Sequence, residues 1–235
     1  MPRSLASGRS LATTRGSVAS LTFDGFQNYV SLGTMGNFGS NLGSGFYCSF
    51  QIKTTSTASA SFGDVDATQL IKIFFNNTGN HQLRLQIYDN AGNILDGYNA
   101  TPTINFNDGG THTVVITANF STQVIVMTID GIAQTVSYNT QMALSTWINF
   151  AYAFYIGARN STGTAQQFYA CTLDNFQIGT SPTALYGNYL FNEGSGTTTA
   201  DSSGQGNTGT LSKGAGAYPT WGHTRVAASG RSLAT

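Results

Sequence analysis

The sequence predicts an all-β protein built as a two-sheet antiparallel sandwich. Three observations lead there. Apolar and polar residues alternate over short stretches, the period of a half-buried strand. Those stretches are broken by Gly, Asn and Asp, the residues that tight turns require. No run of a dozen residues shows helical periodicity, and the chain has only four prolines. Many short antiparallel strands bury their apolar faces most simply by stacking as two sheets.

Taken in order, "GFYCSFQIKT" places Phe46, Cys48, Phe50 and Ile52 on one face of a strand. "HQLRLQIYDNAG" is a strand running into an Asp-Asn-Ala-Gly turn. "THTVVITANFSTQVIVMTIDGIAQTVS" reads as three strands, with a turn near Asn119–Ser121 and a hairpin turn at Asp130-Gly131. "FYACTLDNFQIG" and "ALYGNYLFNEG" add two more. The 235 residues suffice for one large all-β domain, and 40% hydrophobic with 12% aromatic content supplies a packed core. Cys48 and Cys171 could close one disulfide, but their place in strand-like stretches favours buried free thiols.

Only 9% of residues are charged, and they are unevenly placed. Residues 21–221 hold five basic and ten acidic groups. Residues 1–20 carry Arg3, Arg9 and Arg15 with no acid, and residues 222–235 carry Arg225 and Arg231 with no acid. The organisation expected is an N-terminal extended arm (1–20), a single domain (21–221) and a C-terminal extended arm (222–235). Basic arms on a mildly acidic body imply acidic contacts for the arms, or else solvated ends. No apolar run approaches the roughly 20 residues of a membrane span. The first residues contain arginines without an apolar core, so no secretory signal is expected.

Five stretches resemble the laminin-G-like, concanavalin-A-like jelly-roll family. They are "LTFDGFQNYVSLG", "GFYCSFQIKT", "GGTHTVVITANF…VIVMTIDG", "FYIGARNSTGTAQQFYACTLDNFQIG" and "YLFNEGSGTTTADSSGQGNTGTL…PTW". The resemblance implies an antiparallel jelly roll over residues 21–221, with His112 at a structural position. It also implies an order in which the "YLFNEGSG…PTW" segment comes first, whereas here it comes last. Either the domain is circularly permuted, or this segment completes a neighbouring subunit by strand exchange. The octapeptide ASGRSLAT stands at 6–13 and again at 228–235. Permutation through a shared link sequence would leave such an overlap, and so would two equivalent docking peptides.

Catalytic patterns are sparse. The E-x-D-x-x-E pattern of the family's glucanase relatives is absent, and Glu193 is the sole glutamate. It sits in "NEGSG", where accepting turn hydrogen bonds is the expected role. No triad, phosphate loop or zinc-ligand spacing appears. Members of the family often bind calcium through loop carboxylates, which makes Asp64, Asp66 and Asp201 the calcium candidates; Asx-turn capping is the competing role. Trp147 with Tyr152, or Tyr98 with Asn99, could offer a sugar an aromatic platform beside an amide. Asn76, Asn99, Asn119 and Asn160 head N-x-S/T triplets at close to the background of an Asn- and Thr-rich chain.

The expected function is therefore non-enzymatic and cofactor-free, with calcium the one ion in view. The first expectation is a virion structural protein, a phage capsid decoration or fibre component at the virion surface. Its arms, through Arg3, Arg9, Leu11, Arg15, Arg225, Arg231 and Leu233, would hold it to its own copies or to capsid-protein neighbours, with surface glycans as further contacts. No nucleic acid or membrane partner is expected. The alternative is an extracellular glycan-binding lectin or adhesin module.

Overall fold

The computed structural model describes residues 18–43, 45–65, 70–76 and 82–224. All pairings among these residues are antiparallel, and the elements are strands throughout. Two large sheets face each other. The first runs in the order β10 (Ile132–Ala133), β9 (Val124–Ile129), β8 (Thr111–Asn119), β3 (Gly45–Lys53), β15 (Ala170–Ser181), β1 (Val18–Asp24), β19 (Thr220–Thr224). In this sheet β16 (Ala184–Tyr189) shares one edge of β15 with β1. The second runs β11 (Val136–Gln141), β7 (Ile94–Asn99), β6 (Gln82–Tyr88), β5 (Leu70–Asn76), β4 (Ala60–Val65), β12 (Tyr155–Ile156), β2 (Tyr29–Ser31), β18 (Gly209–Ser212), β17 (Thr198–Thr199). A small ribbon pairs β13 (Arg159–Ser161) with β14 (Thr164–Gln166).

The expected alternation is present where it was read. Phe46, Cys48, Phe50 and Ile52 are all buried. In β6, Leu83, Leu85 and Ile87 point inward while Arg84, Gln86 and Tyr88 stay partly exposed. Aromatic rings join the sheets: Phe50 on β3 lies 4.5 Å from Phe62 on β4, and Phe75 lies 4.7 Å from Tyr169. Such pairs add about 0.5–1.5 kcal/mol each beyond area burial. Cys48 and Cys171 are free and buried. Burial pushes both thiols up, which keeps them protonated and unreactive.

One stretch departs from the expectation. "IAQTVS" is not one strand: β10 stays on the first sheet, and β11 crosses to the edge of the second. The crossing protects an edge. The Tyr138 hydroxyl of β11 accepts from Ile125 N at 2.8 Å and lies 3.4 Å from Ile125 O, occupying the outer side of β9. The Asp130-Gly131 turn is as read, with both residues at positive φ (51° and 77°), the requirement of a two-residue hairpin turn of this type.

The C-terminal segment folds back into its own chain. β16 pairs with β15, β18 with β2, and β19 with β1. In the last ladder Val18 stands opposite Thr224, so paired strands extend slightly beyond 21–221 at both ends. β19 running into β1 is the geometry of a hairpin whose turn is absent, which is what a permuted order requires. The arm residues Arg3, Arg9, Leu11, Arg15, Arg225, Arg231 and Leu233 lie outside the described residues, as does Asp66.

This pairing makes a prediction. A variant with Thr224 joined to Val18 by a short Gly-containing turn, and reopened between Pro182 and Thr183, should keep the parent's strand content and one cooperative melt. Circular dichroism and a thermal scan decide it. A non-cooperative melt would mean that β1 and β19 do not pair as described.

Candidate functional site

The outward face of the second sheet carries polar side chains held in register. Because each strand alternates, β5 turns Lys72 and Phe74 outward, β6 turns Arg84 and Gln86 outward, and β7 turns Asp96 and Tyr98 outward. Register then aligns them in two rows. One row reads Asp64, Lys72, Gln86, Asp96. The other reads Ser61, Phe74, Arg84, Tyr98, Ser137.

Asp96 organises the rows. Arg84 Nε donates to its Oδ1 at 2.6 Å, and Arg84 Nη2 donates to Oδ2. Gln86 Nε2 donates to Oδ2 at 3.1 Å and Asn139 Nδ2 at 3.5 Å. The hydrogen bond to Asp96 raises the Arg84 guanidinium further, which keeps it charged. Arg84 Cζ also sits 4.9 Å over the Phe74 ring. Beside these rows opens a cleft of about 250 Å3, lined by Ser59, Ser61, Lys72, Gln86, Arg159 and Gln167 among others. Hydroxyls, amides, two cations and a ring edge in one cleft form the donor and acceptor set that a polyhydroxylated ligand uses.

Of the three aromatic residues expected to contact sugar, Tyr98 stands in the outward rows. Trp147 is engaged elsewhere: its Nε1 donates to Gly43 O at 3.0 Å, and its ring packs 4.7 Å from Phe120. Tyr152 packs against the core, close to Gly163. Trp147 and Tyr152 thus stand on the loop at 142–154, each partly buried against the core. That loop is held by Asp89, which the sequence reading passed over as a turn residue. Its carboxylate accepts from Ala91 N, Asn93 N and Nδ2, Ser145 N and Thr146 N.

The calcium candidates are similarly occupied. Asp64 is fully buried; its Oδ1 accepts from Asn160 N at 3.3 Å, and Lys72 Nζ lies 3.6 Å from Oδ2. An ammonium already faces the carboxylate where a cation would. Asp201 accepts from Asn188 N, Ser203 N and Asn207 N, the bonds of a capped loop. Burial works to raise its pKa, but these hydrogen bonds outweigh it and the net shift is downward. Among the described residues, no three His, Cys, Asp or Glu side chains gather as a metal set. Glu193 takes the turn role, accepting from Thr199 Oγ1 at 3.0 Å and Ala200 N at 2.6 Å. Asn160 is buried; it donates to Ala153 O and accepts from Gly163 N, anchoring the β13–β14 ribbon.

His112 is clamped between two carboxylates. Its Nδ1 lies 2.7 Å from Asp130 Oδ2 and its Nε2 lies 3.1 Å from Asp108 Oδ1. Asp130 also accepts from Thr113 N at 2.8 Å, so the start of β8 is tied to the turn before it and to the β9–β10 turn. Burial opposes the imidazolium, but the hydrogen bonds to Asp130 and Asp108 prevail and raise its pKa. At Asp130 burial is likewise outweighed, by the His112 contact, and the carboxyl is lowered; at Asp108 the Gly110 N–H and then His112 lower it.

With this geometry, the fold is that of the laminin-G-like, concanavalin-A-like jelly rolls. The structure is similar to mouse laminin α1 chain domains LG4–5, with a TM-score of 0.50 and 14% identity over 79% of this chain. It is also similar to a Bacteroides ovatus protein provisionally named as carbohydrate-binding, with a TM-score of 0.60 and 13% identity over 89% of this chain. The chain spans 48% of the laminin fragment and 60% of the Bacteroides protein. No family model matches the sequence, and no curated protein matches it. Among the described residues no helix is long and apolar enough to cross a membrane.

The clamp predicts a pH dependence. A raised histidine pKa contributes stability that is complete below the unfolded value of about 6.5 and is lost as pH rises through the folded value. The lowered carboxyls contribute above about 3.9 and are lost as pH falls through their folded values. The melting temperature should therefore fall between about pH 6 and pH 8 in the parent and fall less in His112→Gln. Parallel profiles would mean that the clamp carries no charge-dependent stability.

Proposed function

We propose that this domain is a non-catalytic carbohydrate-binding module that takes its glycan on the outward face of the second sheet. The observation that carries the reading is the pair of registered rows with their adjoining cleft. Asp96 holds Arg84 and Gln86 in place before any ligand arrives, and a preorganised polar site loses less entropy on binding. Tyr98 and Phe74 add apolar surface for a sugar ring. The name of the Bacteroides relative supports the same class of ligand at the level of the fold, and an extracellular setting accords with it. Binding without catalysis fits the spending of Glu193 on its turn.

Of the two functional expectations, the comparisons favour the glycan-binding one. The virion role drew on the arms, whose arginines and leucines lie outside the described residues, and no compared structure supports capsid partners. Calcium enters this reading only as a proposal for Asp201, since Asp64 already faces Lys72.

The test is a glycan array on the full chain, followed by titration of the strongest saccharide. Gln86→Ala and Tyr98→Ala should each weaken binding about tenfold while the melting temperature holds. Full affinity in both variants, or no binding across a broad array, would sink the reading.

A further inference from the structure

An outer strand leaves a row of N–H and C=O groups unpaired, so a sheet edge is where another chain can add. Most edges of the two large sheets are closed. β10 and β17 have two residues each. The outer side of β9 is taken by the Tyr138 hydroxyl and by Gln134 N, which donates to Met127 O. β16 is covered by the loop at 201–207. There Ser202 N donates to Asn188 O, Asn207 Nδ2 donates to Tyr186 O, and Asp201 accepts from Asn188 N. β11 is bulged between Tyr138 and Thr140, which spoils it as a template.

β19 differs from all of these. It pairs with β1 through five residues without a bulge, and no described strand lies on its other side. Its sequence, TWGHT, contains neither lysine nor proline, the residues that commonly protect an edge. Trp221 packs against the core and donates to Gly196 O, so the largest side chain of the strand leaves the edge clear.

Charge selects the strand that fits there. Val18 stands opposite Thr224, so both arms leave from one end of the β1–β19 pair. They bring Arg3, Arg9, Arg15, Arg225 and Arg231, and no acid. The other end of the sheet is acidic. Thr220 and Thr22 are opposite each other there, as are Asp24 and Ala170. Lys53 and Thr111 mark the same end of β3 and β8, which brings Asp108 and Asp130 to it beside His112. Antiparallel pairing of β19 with the β19 of a second copy sets the basic end of each copy beside the acidic end of the other. A two-fold axis does this for both copies at once. A five-residue strand pair falls well short of the roughly 1,200 Å2 of a stable interface, so the arms must supply the remainder.

We infer that β19 joins two copies of this chain edge to edge, making one continuous sheet of their two first sheets, with the arms of each reaching toward the Asp24 end of the other. The glycan face lies on the second sheet, so this pairing stands or falls separately from it.

Light scattering and amide hydrogen exchange on the full chain test this. At about 100 μM and low salt the mass should be twice the 24.8 kDa of one chain, and it should fall toward one chain as salt approaches about 1 M. Alternate amides of Thr220–Thr224 should exchange at least about tenfold more slowly in the dimer than after dilution to the monomer. Arg3→Gln, Arg9→Gln, Arg15→Gln, Arg225→Gln and Arg231→Gln together should weaken the dimer about tenfold or more, with strand content unchanged. A monomer at every salt concentration, or an oligomer larger than two, would overturn the proposal. So would a dimer indifferent to the five substitutions, or one whose β19 amides exchange alike before and after dilution.

Discussion

Phe176 is the contact on which the sandwich most depends. Its ring lies 6.3 Å from Phe50, 6.2 Å from Phe62, 6.3 Å from Phe154 and 6.4 Å from Tyr189. One side chain thereby touches the first sheet, the second sheet, the loop entering β12, and β16. It sits within a bulge between Asp174 and Gln177, where Asn175 takes a positive φ of 49°. Asparagine tolerates that conformation better than most residues. The bulge divides β15 into two working halves, the first pairing with β1 and the second with β16, while β3 runs along the other edge. Removing a buried phenylalanine generally costs about 3–5 kcal/mol, a large share of a domain's stability. Here the loss would fall on the two sheets together.

The same strand explains how an unusual segment order is tolerated. Sheet pairing depends on which strands lie side by side, and not on where the chain is cut. β16 and β1 occupy one edge of β15 in succession, and β19 lies beyond β1. The last four strands can therefore be supplied from the C-terminal side without altering a ladder. The repeated ASGRSLAT octets flank the β1–β19 pair in sequence, which fits a shared link.

How far the sequence announced this structure follows from the range of each signal. Alternation is local, so the buried faces of β3, β6 and β8 were readable, and so was the Asp130-Gly131 turn. The division of "IAQTVS" between sheets was not, because it depends on Tyr138 reaching Ile125 across the sandwich. The site was half legible. Arg84, Gln86 and Tyr88 alternate visibly in "RLQIY", and only their alignment with Lys72, Phe74, Asp96 and Tyr98 makes a site, which is a matter of register between strands. Trp147 looks like a binding aromatic in sequence, but Gly43 and Phe120, both distant along the chain, absorb it. Asp64 looks like an ion ligand until Lys72 and Asn160 are placed against it.

The two faces of the sandwich thus differ in kind. The second sheet displays fixed ions and amides in rows, and the first displays mainly hydroxyls with a lone lysine at one end. The central claim is that glycan recognition belongs to the second sheet's outward rows. The most direct test is to map, by amide chemical shifts, where the saccharide selected on an array meets the full chain. The account predicts the largest shifts in β5, β6 and β7 and in the residues from Arg159 to Gln167. Shifts gathered instead in the loop around Trp147, or in residues 1–17 and 225–235, would contradict it.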